Sequence, residues 1–309
     1  NLLYCRDMRY TLNGVGWTQA AGSGVGSEIA PNGTFDTTVT GWSATAAIAW
    51  VVGELELSLS GSLGSAYFIG SLTVGKTYIF TGTFRTAGSG ASAAYLSIEF
   101  GGNLAKSASN ISGINATYTV QFVATATSVY CNLVVFGTAS TKCFLDNVSL
   151  KEAAVQVALT QTGVDGLANS CSLLTAAAVD ATILQTITAA STPACSGFWV
   201  KRSVGTGSVF FTRNGGTDWL DITSLINSST FTCVKIENTS VTNPQVGFKI
   251  ATSGDAIIVD AGLNHAGTAL TLPIFTTSAA VTRAADVLTY QTASNFSDTA
   301  GTILATYKP

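Results

Sequence analysis

Carboxylate pairs, thiols and a histidine are the side chains in this sequence that could do chemistry. Asp218 and Asp221 flank Trp219 and Leu220. Glycoside hydrolysis needs two carboxylates about 5–10 Å apart with proton affinities pushed apart. Residues three apart on a strand point to opposite faces, so turn and capping use fits this pair better. Glu54 and Glu56 share a strand face opposite the stripe Leu55, Leu57, Leu59, which marks them as the solvated side. His265 is the only histidine, which excludes metal sites built from several histidines and His-dyad chemistry. No serine occupies a Gly-x-Ser-x-Gly elbow. The six cysteines are Cys5, Cys131, Cys143, Cys171, Cys195 and Cys233. None forms a Cys-x-x-Cys pair, so zinc is not expected. Buried free thiols are expected, because Cys in apolar strands acts as a small hydrophobe; Cys131–Cys143 is the alternative pairing, across a hairpin. No reaction is encoded, and a non-enzyme is expected.

The elements that hold these residues are strands. Period-two alternation recurs: Tyr78, Phe80, Gly82 and Phe84 share one face, as do Tyr118, Val120 and Phe122, while Val129–Phe136 is apolar on both. Strands of five to nine residues with Gly-rich turns indicate β-sandwiches. A second series follows Val155: Ala181–Thr188, Phe198–Arg202, Ser208–Thr212, Phe231–Ile236, Gln245–Ala251 and Ala256–Ala261. Asn214-Gly215-Gly216 and Ser253-Gly254-Asp255 are hairpin turn signals. A short helix is expected near Leu173–Val179, and a break near Lys151–Ala154. Ala21–Ser27 is Gly/Ser-rich; with no helix after it, a linker fits better than a phosphate cradle.

Composition bounds the partners. Over 309 residues, charged side chains make up 10% and apolar ones 47%, so disorder driven by high charge is excluded. A net charge of −3 argues against nucleic-acid binding. No apolar run reaches about 18 residues, so no membrane-spanning helix and no membrane insertion is expected. The chain opens on Asn1 rather than Met, which reads as a trimmed product or a piece of a longer protein.

Two phrases carry a resemblance. Pro31–Trp42 reads P-N-G-T-F-D-T-T-V-T-G-W, Leu72–Tyr78 carries L-x-x-G-x-x-Y, and Phe144–Leu150 reads F-L-D-N-V-S-L. Residues 28–152 thus resemble the jelly-roll carbohydrate-binding modules of the family 4/9 type. The phrase Pro273–Val287, with Thr276-Thr277-Ser278-Ala279-Ala280-Val281-Thr282-Arg283-Ala284-Ala285-Asp286-Val287, resembles a module repeated in tailed-phage tail fibres. That module opens with N-L-L and a Trp, matched by Asn1-Leu2-Leu3 and Trp17, and continues from Gly163-Val164-Asp165-Gly166.

The expected fold is therefore all-β, with two jelly-roll-type sandwiches, one inserted in the other. Residues 28–152 form the carbohydrate-binding-module-like unit, residues 1–20 plus 153–290 the phage-type sandwich, and residues 291–309 a tail or the first strand of a further domain. The resemblance implies a structural calcium held by Asp36 and Asp146, with Asn32 adding an oxygen. Aromatic candidates for a sugar face are Trp42, Trp50, Tyr67 and Tyr95. Trp50 and Tyr95 are preferred for exposure, with Asn103 and Gln121 as polar neighbours.

The expected role is a structural or adhesive virion component: a tail fibre, tailspike or similar appendage. It is expected to be a homotrimer, to meet other virion proteins, to bind a bacterial surface glycan, and to sit on the particle surface. The alternatives are a non-catalytic accessory region of a polysaccharide-degrading enzyme, or a capsid decoration protein.

Overall fold

Alternation of apolar and small polar residues leaves this chain little choice but extended structure, and the computed structural model shows only strands and turns among the residues it describes. These are 11–12, 15–19, 24–87, 90–100, 103–107 and 113–270. The phrases at Asn1–Tyr4 and Pro273–Val287, and the tail 291–309, lie outside them.

Four sheets form, antiparallel throughout their ladders. One runs, in spatial order, Asn103–Lys106, Ala91–Phe100, Ser128–Gly137, Leu63–Ser71 and Ser43–Ala44. Its partner runs Ala116–Val123, Thr77–Ala87, Lys142–Ala153, Glu54–Ser58 and Ala47–Val51, with Gly24–Val25 added beside Lys142–Ala153. Between these two sheets lies an apolar cluster including Phe68, Phe80, Phe84, Leu96, Phe122, Leu133 and Leu145. Leu55 and Leu57 point into it at 0% exposure, as their alternation requires.

The third sheet runs Thr11–Leu12, Val15–Thr18, Ala181–Thr186, Gln245–Ile250, Val209–Thr212 and Leu220–Asp221. The fourth runs Val155–Gln161, Cys171–Ala176, Ala256–Ala266, Pro193–Val204 and Thr232–Ser240. They enclose a second cluster in which Trp17, Phe198, Phe211 and Phe248 are fully buried. Trp17 lies opposite Gln185, and its ring meets Phe198 edge-on at 5.7 Å.

The helix expected near 173–179 is absent. Cys171–Ala176 is a strand paired on both sides, with Val155–Gln161 and with Ala256–Ala266. Ladder pairing and inward burial of Leu174 and Ala176 outweigh alanine's helix preference. The expected break at Lys151–Ala154 is also sharper than a linker. The strand Lys142–Ala153 ends one residue before Val155–Gln161 begins.

At the join between the two sandwiches, glutamine amides mimic ladder rungs: Gln156 reaches across it to Thr77, and Gln19 lies beside it within the second sandwich. Gln19 donates to the Val155 carbonyl at 2.8 Å and accepts from the Val155 N–H at 2.7 Å. Gln156 accepts from the Thr77 N–H at 2.7 Å and donates to the Thr77 carbonyl at 3.2 Å. Each amide satisfies both backbone groups of one residue that would otherwise be left without partners at the join. Thr77 Oγ1 also accepts from the Val157 N–H at 3.0 Å, and Lys76 pairs with Glu152 at 2.9 Å.

Candidate functional site: the outer aromatic face of the five-stranded sheet

Strand Ser128–Gly137 sets the site. Its Val129, Cys131, Leu133 and Val135 turn inward at 0% exposure, so Tyr130, Asn132, Val134 and Phe136 face out. Tyr130 and Phe136 are 47% and 36% exposed, which is unusual for rings of this size. The register aligns rows across the sheet. Tyr130 lies between Glu99 and Ile69, and Asn132 between Ser97 and Tyr67. Val134 lies between Tyr95 and Ser65, and Phe136 between Ala93 and Leu63.

Two aromatic clusters result. Tyr67 meets Tyr130 edge-on at 5.6 Å, beside exposed Ile69. Tyr95 meets Phe136 at 6.2 Å, with exposed Leu63 across from Phe136. Six strand residues separate Tyr130 from Phe136, about 20 Å. Between them the floor is recessed: Asn132 and Val134 keep 6% and 9% exposure, and Ser97 none. Ser97 Oγ has no hydrogen-bond partner, a deficit that a buried hydroxyl rarely carries. Lys106 lies opposite Ser97 and places Nζ 5.2 Å from the Tyr95 ring centre. Burial, reinforced by the Glu99 charge, raises the Tyr95 hydroxyl above its ordinary value, so it stays protonated and can donate. The face therefore offers apolar rings for stacking and hydroxyl, amide and ammonium groups for polar contacts.

The structure places the expected sugar-contact residues in different regions. Tyr95 belongs to this face. Trp50 sits on the edge strand Ala47–Val51 of the opposite sheet, opposite Leu55, and is 44% exposed. Its indole N–H donates to the Phe35 carbonyl, so it closes the sandwich edge instead of joining Tyr95. Gln121 points out from the opposite sheet but is 0% exposed, sealed under Gln19 at the join, where Gln19 Nε2 donates to its Oε1 at 3.4 Å. Asn103 pairs with Phe100 on the edge strand beside Ala91–Phe100. Trp42 is core, packed on Phe35 and Phe68 at 5.4 and 5.0 Å. Tyr130 and Phe136 escaped notice because apolar residues on both faces of 129–136 read as a fully buried strand. Tyr130 and Asn132 on the even-numbered face were the available signal.

The opening and closing phrases of the first sandwich are in contact. A register shift between Asp146 and Ser149 bulges the strand Lys142–Ala153, with Asn147 at φ 50°. Bulges re-aim side chains, and here Asp146 is the residue at the shift. Gly33 lies against the bulge; a Cβ there would stand 2.0 Å from the Val148 carbonyl oxygen, so only glycine fits. The Val148 N–H donates to the Gly33 carbonyl at 2.8 Å. Asp146 Oδ2 accepts from Asn147 Nδ2 at 2.8 Å, while Oδ1 is buried without a partner. Burial first, then the charges of Glu54 and Asp36, raise the Asp146 carboxyl. Asp36 accepts from Thr34 at 3.0 Å, and Asn32 spends its Nδ2 on the Thr38 carbonyl. Among the described residues no group of three or more His, Cys, Asp or Glu side chains is arranged for a metal. An oxygen-seeking ion needs no such group, since carbonyls and amides complete its shell. The orphaned Oδ1 and the nearby Asp36 charge fit calcium.

The other candidate chemistry resolves into structure. Glu54 pairs with Arg85 at 2.7 Å and Glu56 with Lys142 at 2.8 Å. Asp218 accepts from Asn214 at 2.8 Å and Asp221 from the Thr223 N–H at 2.8 Å, both turn contacts. Cys131, Cys143, Cys195 and Cys233 carry free thiols, so Cys131 and Cys143 do not form the alternative pair. Burial pushes the Cys143 thiol up to about 12 and Cys131 well above its usual value, which leaves both unreactive as nucleophiles.

No protein-family model and no curated protein matches the chain. Solved structures are similar only distantly. The N-terminal CBM22-1–CBM22-2 tandem domain from Paenibacillus barcinonensis Xyn10C shares 10% identity, with 81% of this chain and 100% of that one covered and a TM-score of 0.34. A CBM4 structure shares 12% identity over 40% of this chain and 98% of its own, with a TM-score of 0.35. TmCBM61 in complex with beta-1,4-galactotriose shares 14% identity over 41% and 99%, with a TM-score of 0.31.

Proposed function

We propose that this chain is a non-catalytic glycan-binding protein that engages a polysaccharide on the outer face of the five-stranded sheet. One observation carries this: the exposed rings of Tyr130 and Phe136, backed by Tyr67 and Tyr95, stand on the same outer face of one sheet. Sugar C–H faces stack on rings, and the protonated Tyr95 hydroxyl and the Lys106 ammonium supply polar groups beside them. The spacing suits a chain of several sugar units. Single-site affinity should be weak, near the millimolar values that correspond to about −4 kcal/mol. The test is a glycan array followed by titration calorimetry. Tyr130→Ala and Phe136→Ala should each weaken binding about tenfold or more while leaving the melting temperature nearly unchanged. Unimpaired binding by the double variant removes the proposal.

A calcium ion held by Asp36, Asp146 and Asn32, with backbone carbonyls, is part of the same reading. When bound, it supplies charge that ties the opening loop to the closing strand.

The wider setting we propose is a phage appendage, a tail fibre or tailspike at the particle surface, associating as a homotrimer with other virion proteins. The resemblance of Pro273–Val287 and Asn1–Leu3 to phage modules supports it. Light scattering on the full chain tests it: a mass three times that of one chain is expected, and a monomer at all concentrations counts against it. Trimerisation would raise weak single-site binding through multivalency.

A further inference from the structure

Arg213 continues the strand Val209–Thr212 into the interior of the second sandwich and keeps only 3% of its surface exposed. Its Nε donates to Ser196 Oγ at 3.0 Å. Its Nη1 donates to the Thr239 carbonyl at 2.7 Å and to Thr239 Oγ1 at 2.8 Å. Ser196 Oγ in turn donates a hydrogen bond to Asn264 Oδ1 at 2.7 Å. Every one of these acceptors is neutral. Among the described residues no carboxylate pairs with Arg213. Asp218, five residues on, is committed to the Asn214 amide.

A guanidinium carries five N–H donors and cannot lose its charge in a protein. Three donors are used here, and among the described residues the two on Nη2 have no acceptor. An arginine this buried normally faces a carboxylate or phosphate, because an uncompensated buried charge is strongly unfavourable. The neutral oxygens of Ser196 and Thr239 orient the fork without balancing it. An arginine whose orientation is fixed by two neutral neighbours, with one edge left open, is arranged as an anion receptor.

We propose that the Nη2 edge of Arg213, beside Ser196 and Thr239, is a binding site for one carboxylate or small oxyanion. It is separate from the aromatic face, since it lies in the other sandwich, and it stands whether or not the glycan reading does. The anion's source is either a free ion or the carboxylate of an acidic sugar.

Titration calorimetry on the full chain, at constant ionic strength, tests this with sodium acetate, sodium sulfate and a glucuronate-containing oligosaccharide. Saturable one-to-one binding of at least one of them is expected. Arg213→Met should lower that affinity at least tenfold and melt no lower than the parent in anion-free buffer, because an apolar side chain of similar length removes the unbalanced charge. A purely structural arginine gives the opposite pattern: no saturable anion in the parent and a lower melting temperature for Arg213→Met. That pattern overturns the proposal, as does unchanged affinity in the variant. If Arg213→Met fails to fold, the parent titration decides alone. Equal affinity for acetate and the oligosaccharide assigns the site to free anions; an oligosaccharide tighter by tenfold or more assigns it to acidic glycans.

Discussion

Asp146 shows how much chemistry one residue's placement can carry. Its carboxyl is raised by burial and by the Glu54 and Asp36 charges. The sign follows: below about 4, the ordinary range of an aspartate, the group is protonated in both states and costs nothing. As pH rises from there toward the higher folded value, the unfolded chain ionises first, and stability is lost. A calcium ion bound at Asp146, as proposed, would reverse this penalty. Removing it with EDTA should lower the melting temperature at pH 7, and added calcium should restore it by RT ln(1 + [L]/Kd), about 2.7 kcal/mol at a hundredfold excess. Asp146→Asn should abolish the EDTA response and flatten the loss of stability above pH 4. A melt indifferent to EDTA at pH 7 removes the ion. At this scale the sequence was partly legible. That the opening and closing phrases holding Asp36 and Asp146 come together was legible from their spacing, but the orphaned Oδ1 arises from a bulge that no alternation pattern encodes. Trp50 and Gln121 were misplaced for a related reason. Alternation says which face a residue is on, and it does not say whether another sandwich covers that face.

At the scale of elements, the strands were the most legible feature. Leu55, Leu57 and Leu59 read as a core stripe and are one. The 173–179 helix failed because pairing with strands on both sides outweighed the helix preference of its leucines and alanines. The strand Val15–Thr18 offers a direct test of which core it serves. Trp17 lies wholly within the cluster of Phe198, Val209 and Phe248. Trp17→Ala should destabilise the Phe198 sandwich by about 3–5 kcal/mol, the usual loss for a fully buried large ring. Hydrogen exchange resolved by segment reads this out. Amides of Ala181–Thr186 and Gln245–Ile250 should lose protection, while those of Thr77–Ala87 keep theirs. Equal loss in both sets contradicts it.

For the whole molecule, the glutamine rungs at the join decide whether two sandwiches behave as one body. Gln19 and Gln156 each pair both backbone groups of a residue across or beside the join. If either sandwich unfolds, Thr77 and Gln156 lose each other and Gln19 loses Gln121, so the two should melt in one calorimetric transition. Gln19→Leu with Gln156→Leu removes the pairing but leaves both cores intact. Two resolved transitions are then expected, each losing about 1–3 kcal/mol for the unsatisfied groups. A single transition in the double variant means apolar contact alone couples the sandwiches.

Gly24 and Val25 lie opposite Ala153 and Glu152, so the chain enters and leaves the aromatic-faced sandwich through neighbouring strands, about 5 Å apart. Heredity can exploit that spacing. Two crossovers, one at each of these points, exchange everything that meets a ligand on that face while leaving Trp17 and its cluster untouched. A two-residue hairpin can bridge the same gap, so the lineage can also discard the whole sandwich. If that face binds as proposed, changing what it recognises becomes a matter of recombination, with no need for the scaffold to be selected anew.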